Sequence, residues 1–487
     1  MKKTFIAVQM LLLLGVSGCT NKLLNLKPDD TLTTGNFYKT SNDMNQAALG
    51  VYNSLQQRKQ NDYLIMEVPS DNLYMSNNTS VSGANDMDYL TVNQDNNIVG
   101  DFWEATYAGI GRANALLQNI DVPKDYAPNM KEQFTGEAKF MRALFYFDLV
   151  RLFGGVPKVT TTLTINDAKN MPRATADEIY DLIISDLKDA VDKLPVPAGI
   201  AKGRASRAAA LGILGKVYVY RKDYTNAKSC FERLNTDFSY KLEPNFSTLW
   251  SLATKDNNEV IFTMKYVEGT SGQTLSTTYT PNGGIFGIVD RGNEIALPSW
   301  SLDKLYVTGD TRKANTISDW YVPATGGSPI WYPYVNKYAV KHQINSSGLD
   351  LPVLRYADVV LLYAESLYNL GDKAGALKQQ NLVRERAFGN TSHDYTAADI
   401  ANADDFLNKL LLERQLEFAY ENERWMDLVR TGKFMAVMTK EERLYNNVTQ
   451  TPMTVTLLPK QYMALFPIPK RQIDLYTPGV LKQNDGY

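Results

Sequence analysis

Residues 351–388 read LPVLRYADVVLLYAESLYNLGDKAGALKQQNLVRERAF, and their apolar spacing predicts two packed helices. Small, aliphatic and aromatic side chains recur three and four positions apart, on one face of a helix that begins just after Pro352. They are Ala357, Val360, Leu361, Ala364 and Tyr368. Gly371 ends this helix, and Asp372 is an N-cap for a second helix with the same spacing. So short a turn predicts a helical hairpin of the tetratricopeptide type.

The first of these helices also carries Asp358 and Glu365, and two carboxylates can indicate a catalytic pair. Seven residues at about 1.5 Å rise separate the two backbones by roughly 10.5 Å, beyond the carboxyl separations of about 5 to 9.5 Å that glycosidases use. Buried carboxylates need partners, and Arg355, Arg384 and Arg386 are close in sequence. We therefore interpret these charges as structural ion pairs.

The rest of the chain offers little support for metal or cofactor chemistry. His342 and His393 are the two histidines, and neither has the spacing of a metal ligand or of a nucleophile-base pair. There is no P-loop and no strand-flanked GxGxxG. Three glutamates share a face of the helix predicted over residues 406–430, but the Glu-x-x-His element of diiron bundles is absent. These are Glu413, Glu417 and Glu421, with Arg414, Arg424 and Arg430 as expected partners. We predict no cofactor and no metal ion.

The composition indicates an ordinary globular protein. Of the 487 residues, 44% are apolar and 21% are charged, which is enough for a large buried core. The formal net charge is -2, and no long run of Lys or Arg creates a basic surface. The sequence therefore predicts no nucleic-acid partner.

The N-terminus has the pattern of a bacterial lipoprotein signal. Lys2 and Lys3 precede an apolar run over residues 5–16, and Val-Ser-Gly-Cys follows, ending at Cys19. We predict that residues 1–18 are removed and that Cys19 is lipidated. An N-terminal transmembrane anchor is the alternative, but the apolar run is shorter than the roughly 20 residues a bilayer requires. The remaining cysteine, Cys230, occupies an apolar helical position typical of a buried thiol.

The predicted fold is mainly α, a tetratricopeptide-like helical-repeat scaffold with a loop-rich, aromatic-rich segment and a few short strands. A lipidated tether is predicted over residues 19–40, an N-terminal helical region over 41–237, a loop-rich ligand-binding segment over 238–350 and a C-terminal helical region over 351–487. Predicted helices cover residues 41–57, 102–120, 134–153 and 176–194, the last with a Thr175–Glu178 capping box. Residues 69–97 are predicted to be loop, and alternation from Val260 predicts a strand.

Aromatic residues are abundant, with 29 Tyr and 6 Trp in the chain. Many lie in the predicted loop-rich segment: Trp300, Tyr306, Trp320, Tyr321, Trp331, Tyr332, Tyr334 and Tyr338. Flat rings suit sugars, because a pyranose presents C–H groups on its faces and hydroxyls at its edge. Core packing is the competing explanation for individual rings. The crowding beside Asn and Ser favours a carbohydrate-binding surface.

Taken in order, seven stretches of the chain resemble the SusD/RagB family. They are LLNLKPDDTLTTGNFYKT, FWEATYAGIGRANALLQNI, GEAKFMRALFYFDLVRLFGGVP, GRASRAAALGILGKVYVY, LRYADVVLLYAESLYNLG, ERQLEFAYENERWMDLVRTGK and FPIPKRQI. The resemblance implies a surface-facing, outer-membrane, glycan-binding lipoprotein without enzymatic activity. It also implies a partner, a SusC-like TonB-dependent transporter, to which bound oligosaccharide is delivered.

The resemblance implies a shallow aromatic ligand site made by loops. Candidate ligand-binding residues are Asp71, Asn72, Tyr89, Trp300, Trp320, Tyr321, Trp331 and Tyr332, and the candidate lipidation site is Cys19. Asp71 and Asn72 lie in a PSDN stretch that matches the family, whereas the tryptophans are chosen by region and chemistry. A peptide- or protein-binding scaffold and a glycan hydrolase remain as alternative functions.

Overall fold

The computed structural model describes residues 37–77, 80–439, 442–446 and 448–487. The predicted signal peptide, Cys19 and most of the predicted tether lie outside the described residues. The longer helices are α1 (Ser41–Lys59), α4 (Asn97–Asn119), α5 (Met130–Phe153), α7 (Ala176–Lys193), α8 (Arg207–Tyr220), α9 (Tyr224–Asp237), α13 (Tyr356–Asn369), α14 (Lys373–Phe388) and α15 (Ala403–Phe418). Shorter ones are α2 (Tyr63–Met66), α3 (Ala84–Asp88), α6 (Ile165–Lys169), α10 (Leu275–Tyr279), α11 (Trp300–Leu305), α12 (Arg312–Thr316), α16 (Arg424–Arg430), α17 (Phe434–Met438) and α18 (Lys470–Ile473).

The strands form four antiparallel pairs within the described ranges. They are β1 (Leu73–Met75) with β3 (Ala296–Pro298), β2 (Val260–Met264) with β6 (Leu351–Arg355), β4 (Ile317–Tyr321) with β5 (Ile330–Val335), and β7 (Glu442–Asn446) with β8 (Thr451–Thr454). The 3-10 turns are Pro197–Gly199, Phe246–Trp250, Leu252–Thr254 and Gln461–Ala464. Helices thus dominate, and the predicted fold class is confirmed.

The long helices pack in one continuous series. Helix α1 packs on α4, α4 on α5, α5 on α7, α7 on α8, α8 on α9, and α9 on α13, which pairs with α14 and also contacts α15. Each helix therefore buries its apolar stripe mainly against its neighbours, as in helical-repeat proteins. Strands β2 and β6 pack directly on α8 of this series.

The hairpin predicted from residues 351–388 is present, with one correction at its start. Residues 351–355 are not the beginning of the helix but strand β6, which pairs with β2 in a register that places Pro352 opposite Thr263. Helix α13 begins at Tyr356. Gly371 then adopts φ +90°, a conformation that favours glycine, and the Asp372 carboxylate accepts a hydrogen bond from the Gly375 amide at 2.8 Å.

The N-terminal helices also follow the predictions, with some ends extended by a few residues and others one residue shorter. The Thr175–Glu178 capping box is confirmed: the Glu178 amide donates to Thr175 Oγ1 at 3.2 Å, and the Thr175 amide donates to Glu178 Oε2 at 2.8 Å. Residues 69–97, predicted to be loop, in fact contain β1 and α3. The predicted strand at Val260 is β2, but the rest of the 238–350 segment contains several short helices and strands rather than long loops.

The single helix predicted over residues 406–430 is wrong. Helix α15 ends at Phe418 and α16 begins at Arg424, because Tyr420 and Asn422 adopt positive φ angles of 69° and 71°. The amides of both residues donate to the carboxylate of Glu67 at 2.8 Å. A carboxylate from helix α2's end therefore stabilises this corner, and no local pattern in residues 406–430 could predict it.

The charges on the hairpin are buried ion pairs, as interpreted, but with other partners than expected. Asp358 pairs with Lys216 at 2.9 Å and Arg414 at 2.7 Å, and Glu365 pairs with Arg430 at 2.7 Å. Burial opposes ionisation of Asp358, yet Lys216 and Arg414 together hold its pKa well below the ordinary value. These pairs join helices that are distant in sequence.

The three glutamates at positions 413, 417 and 421 are likewise paired, again with unexpected partners. Their partners are Arg312 and Arg384 for Glu413, Arg312, Arg355 and Arg386 for Glu417, and Lys337 and Arg355 for Glu421. The expected partners Arg414, Arg424 and Arg430 bind Asp358, Asp427, Asp71 and Glu365 instead. Both glutamate and arginine side chains are almost completely buried here, so the cluster is structural.

Cys230 is buried on α9, as predicted, and burial raises the pKa of its thiol to about 12. A thiol with so high a pKa is a poor nucleophile at neutral pH. No helix in the described ranges has the length and apolar character needed to cross a bilayer.

Truncation of Leu361 to alanine should lower the free energy of unfolding by about 3 kcal/mol. Leu361 is fully buried in a cluster formed by α13, α14 and α15, so alanine leaves a cavity among helices that cannot close independently. Urea unfolding followed by circular dichroism measures the change. Leu370, which is 44% exposed at the end of the same helix, is the matched control, and Leu370→Ala should change stability by less than about 1 kcal/mol.

Candidate functional site

The predicted aromatic residues are organised by the β4–β5 hairpin. Trp320 lies directly opposite Trp331, and Tyr321 lies opposite Ile330. Because side chains alternate along a strand and opposed residues share a face, the two tryptophans lie on one face and Tyr321 on the other. The hairpin thus presents aromatic rings on both faces.

Trp331 is fixed by a residue from the C-terminal part of the chain. Its ring lies 5.8 Å from the ring of Tyr445 on β7, and the ring of Trp300 lies 5.2 Å from the same tyrosine. Tyr445 is 5% exposed and forms a small buried cluster with Tyr74 and Leu297. The rings of Trp300 and Trp331 are therefore half-buried, and their contacts with Tyr445 set their orientation.

On the other face, Tyr321 and Tyr332 form an edge-to-face pair with ring centroids 6.3 Å apart. The Tyr332 hydroxyl donates to Glu294 Oε1 at 2.7 Å, and the Asn282 amide donates to Glu294 Oε2 at 2.9 Å. Burial and the hydrogen bond to Glu294 raise the pKa of Tyr332, so its hydroxyl stays protonated. These hydrogen bonds hold the Tyr332 ring in place, and each oxygen of the Glu294 carboxylate accepts one of them.

Two rings project into solvent beside the hairpin. Trp320 is 52% exposed and Phe286 is 63% exposed. The Phe286 amide donates to the carbonyl of Val322 at 2.9 Å, which holds the Phe286 segment against the end of β4. Phe286 was not among the predicted residues. Its isolation between glycines in GGIFG was the available signal, because an apolar ring in a glycine-rich loop has no helical or strand face to join.

Tyr89 belongs to the same part of the molecule. It caps helix α3 at its C-terminus and is 44% exposed. Helix α3 packs on β1, β1 pairs with β3, and β3 contacts β5. The exposed Tyr89 and the hairpin rings are therefore linked through a short series of packed strands.

Asn72, a predicted ligand-binding residue, lies in the interior of the structure. Its side chain is completely buried: Nδ2 donates to Glu67 at 2.7 Å, and Oδ1 accepts from Gln415 Nε2 at 2.9 Å. Asp71 is bound by both nitrogens of the Arg424 guanidinium, at 2.7 and 2.9 Å. Both side chains attach β1 to the C-terminal helices. The PSDN stretch that matches the family therefore has a structural role.

Charged residues near the hairpin are held in ion pairs. Lys313 lies 2.5 Å from Asp303 and 2.9 Å from Asp319, and the ammonium of Lys304 lies 4.4 Å from the Trp300 ring centroid. In the described part of the chain, no three His, Cys, Asp or Glu side chains are placed to hold a metal ion. His342, predicted to lack metal spacing, contacts Thr277 Oγ1 at 2.9 Å and the Val340 carbonyl at 2.6 Å.

The structure therefore brings Trp300, Trp320 and Trp331 together on one face of the hairpin and its support, with Tyr321 and Tyr332 on the other face. Fixed, half-buried rings beside exposed ones form a surface that can stack against the C–H faces of sugars. A helical-repeat scaffold with such a surface is typical of the class of proteins that bind a ligand on exposed aromatic rings.

Comparison with known proteins agrees with this class. A family model described as "SusD family" matches residues 321–487, and one described as "Starch-binding associating with outer membrane" matches residues 22–219. SusD-like protein P2 of Formosa agariphila is 28% identical over 467 residues, which cover 88% of this chain and 90% of that protein.

Solved structures share the fold. A laminarin-binding SusD-like protein matches with a TM-score of 0.76 and 24% identity, covering 92% of this chain and 100% of that one. Surface glycan-binding protein A from Bacteroides thetaiotaomicron, solved with laminarihexaose, matches with a TM-score of 0.75 and 20% identity over 91% of this chain and 99% of that one. The two family models together match residues 22–219 and 321–487, so the chain is similar to SusD/RagB proteins over most of its length.

Proposed function

We propose that the protein binds oligosaccharide without cleaving it, on the aromatic surface around the β4–β5 hairpin. The observation that supports this proposal is that the half-exposed Trp320 lies directly opposite Trp331 on the hairpin. The Trp331 ring is held in place by its contact with Tyr445. Fixed rings lose little conformational freedom on binding, so stacking on a sugar is opposed by little entropy. Trp300 extends this surface, and Tyr321 and Tyr332 on the opposite face, together with Tyr89, are further proposed ligand contacts.

The comparisons support a glycan as the ligand. Two relatives with the same fold carry laminarin or laminarihexaose in their names, and one matching family model is described as starch-binding. Laminarihexaose and maltohexaose are therefore the first probes. Incubation with each, followed by chromatography, distinguishes binding from hydrolysis, because released shorter sugars would contradict a non-catalytic role. Binding of peptides but of no glycan would favour the alternative of a protein-binding scaffold.

Trp320→Ala should weaken glycan binding about thirtyfold, a loss of about 2 kcal/mol, while leaving the melting temperature almost unchanged. The reason is that the exposed Trp320 ring supplies contact area for the ligand but little for the core. Trp331→Ala should weaken binding similarly and should also lower the melting temperature, because its ring packs on Tyr445. Calorimetry with the hexasaccharide that binds the parent, together with thermal melts, measures both effects.

The matched control for Trp320 is Leu475, an apolar side chain that is 60% exposed on a different part of the molecule. Leu475→Ala should bind the glycan as the parent does. If Trp320→Ala also binds as the parent does, the aromatic hairpin is not the glycan site.

We further propose that the protein is attached to the outer membrane through a lipid on Cys19 and delivers bound glycan to a SusC-like TonB-dependent transporter. The family description supports association with the outer membrane, and the sequence pattern at residues 1–19 supports the lipid. A lipid-anchored binding protein can hand ligand to a transporter in the same membrane without diffusing away. Co-purification of a transporter from detergent extracts tests the partner.

Cys19→Ala should release the protein from membranes, because acyl chains contribute about 0.8 kcal/mol for each buried CH2 group. Fractionation of cells that lack the partner transporter measures the lipid's contribution alone. A Ser17→Ala variant, which leaves the acylated residue in place, is the control and should remain in the membrane fraction. Membrane retention of Cys19→Ala in those cells would contradict the proposed anchor.

A further inference from the structure

Two cavities of the described chain lie along helix α1, away from the aromatic hairpin. One, of about 620 Å³, lies between α1 and the loop at residues 202–204; the other, of about 600 Å³, lies between the end of α1 and the start of α4. Asn53 and Arg112 line both. Because these residues are shared, the two cavities form one trough along α1, which the proposed aromatic site does not use.

The first cavity, which we call the α1 basic cleft, has an unusual charge. Four of its lining residues are basic, namely Arg112, Lys202, Arg204 and Lys265, and none is acidic. The protein as a whole has a net charge of -2, so the cleft differs in sign from the average surface. A concave site of one charge concentrates field lines and favours a ligand of opposite charge.

Two of these cations are already neutralised. Arg204 binds the buried Glu137 at 2.5 Å, and Lys265 lies 2.5 Å from Asp350 and 2.9 Å from Asp256. The loop that carries Arg204 packs closely against Lys265, because a Cβ at Gly203 would lie 2.5 Å from Cγ of Lys265. Arg204 and Lys265 therefore form a rigid wall, and the excess charge comes from the other two residues.

Arg112 and Lys202 have no carboxylate partner among the residues that the structure describes. Arg112 donates to the Gly50 carbonyl at 3.1 Å and to Ser54 Oγ at 2.7 Å through one nitrogen, Nη1. These bonds to helix α1 orient the guanidinium while its other nitrogens remain available. Lys202 is exposed on the opposite side of the cleft. An oriented guanidinium is suited to a carboxylate or sulfate group.

The remaining lining suits a sugar rather than a bare ion. Gln46 and Asn53 expose amides that can both donate to and accept from hydroxyls. Leu49, which is 43% exposed, offers an apolar surface for C–H groups. The adjoining cavity adds Gln57 and Asn61 above an apolar floor, and its two acidic residues, Asp62 and Asp101, are paired with Arg58 and Arg471. The trough thus combines a cationic end with an amide-lined end.

We propose that the α1 basic cleft binds an acidic saccharide, with its carboxylate or sulfate group held by Arg112 and Lys202 and its hydroxyls held by the amides of α1. This site is separate from the aromatic hairpin and stands whether or not the hairpin binds glycan. Uronic acids and sulfated sugars present the same anionic chemistry, and the experiment distinguishes them.

The test is calorimetric titration of the full protein with four probes: tetragalacturonate, a sulfated galactose tetrasaccharide, neutral maltohexaose and inorganic sulfate. At least one acidic tetrasaccharide should bind, and the Arg112→Gln/Lys202→Gln double variant should weaken that binding at least tenfold. Raising NaCl from 50 to 500 mM should weaken it in the parent, because the contact is electrostatic. Trp320→Ala should leave it unchanged, which separates this site from the proposed glycan surface.

A Lys124→Gln/Lys378→Gln variant removes two exposed charges elsewhere and should bind the acidic probe as the parent does. Thermal melts establish that each variant is folded, and Lys202→Gln alone, which breaks no described contact, serves if the double variant unfolds. The proposal is overturned if neither acidic tetrasaccharide binds, if both charge variants bind equally, or if inorganic sulfate binds as tightly as the saccharides.

Discussion

Arg355→Met should lower the free energy of unfolding by at least about 3 to 5 kcal/mol, the cost of breaking one buried ion pair by removing a single partner. Arg355 is 2% exposed, and it serves three carboxylates: Nη1 contacts Glu259 at 2.5 Å and Glu417 at 3.0 Å, and Nε and Nη2 contact Glu421 at 2.8 and 2.7 Å. Methionine fills a similar volume but carries no charge, so the three buried carboxylates lose the cation that they share.

The expected loss of stability depends on the burial of the ion pair, so an exposed ion pair, that of Arg221, is the matched control. Arg221 also pairs with an aspartate, Asp177, but its side chain is 37% exposed and that of Asp177 is 74% exposed. Arg221→Met should therefore change stability by less than about 1 kcal/mol. Urea unfolding of both variants measures the contrast. Equal, small losses in the two variants would show that the remaining cations compensate the buried carboxylates.

A second substitution tests the same mechanism. Adding Glu421→Gln to Arg355→Met removes one of the three carboxylate charges that Arg355 compensates, so the double variant should be more stable than Arg355→Met alone. Lys337, which lies 2.9 Å from Glu421, remains buried in both variants and limits the recovery. Further loss in the double variant would indicate that Glu421 stabilises the fold independently of Arg355.

The sequence predicts the helical hairpins well because their signals are local. Residues 351–388 carry an apolar stripe, a stop at Gly371 and a cap at Asp372, and each acts within one or two helical turns. The strand at Leu351–Arg355 was missed because its hydrogen-bonding partner, β2, lies about ninety residues earlier. The break after Phe418 was missed for the same reason, since Glu67 stabilises it from the other end of the chain.

For the candidate site, too, the sequence shows the local signals but not the contacts between distant residues. Composition identified the region of Trp320 and Trp331, since crowded aromatic residues in a polar segment are visible in sequence. Composition could not show that Tyr445 supports Trp331, because the two meet only after the C-terminal hairpin folds back. The PSDN motif likewise could not show that the Asn72 amide is hydrogen-bonded to Glu67 and Gln415, which are distant in sequence or in a different element.

Replacing Glu67 by alanine should lower the free energy of unfolding by at least about 3 kcal/mol. The Glu67 carboxylate accepts hydrogen bonds from Asn72 Nδ2 at 2.7 Å and from the amides of Tyr420 and Asn422 at 2.8 Å. Each donor left without a partner in the interior costs about 1 to 3 kcal/mol. The positive φ angles at Tyr420 and Asn422 depend on these bonds, so the corner between α15 and α16 should loosen first.

Stability should also depend on pH through this residue. Burial raises the pKa of Glu67 from its ordinary 4.5 to about 7, although the three donors and Lys337 oppose the increase. A carboxyl group with a raised pKa stabilises the folded state fully below pH 4.5, and this contribution is lost as the pH rises through 7. At 1.36 kcal/mol for each pH unit, the interval from 4.5 to 7 corresponds to about 3 kcal/mol.

The measurement is urea unfolding of the parent and of Glu67→Gln between pH 4 and pH 8. Glutamine keeps the shape of the side chain but does not titrate, so the parent's stability relative to Glu67→Gln should fall by about 3 kcal/mol across this range. Glu132→Gln, at an exposed position on α5, should follow the parent at every pH. A relative stability that instead rises with pH would mean that the three donors outweigh burial and that Glu67 is ionised throughout, which would make the α15–α16 corner a charge-assisted contact.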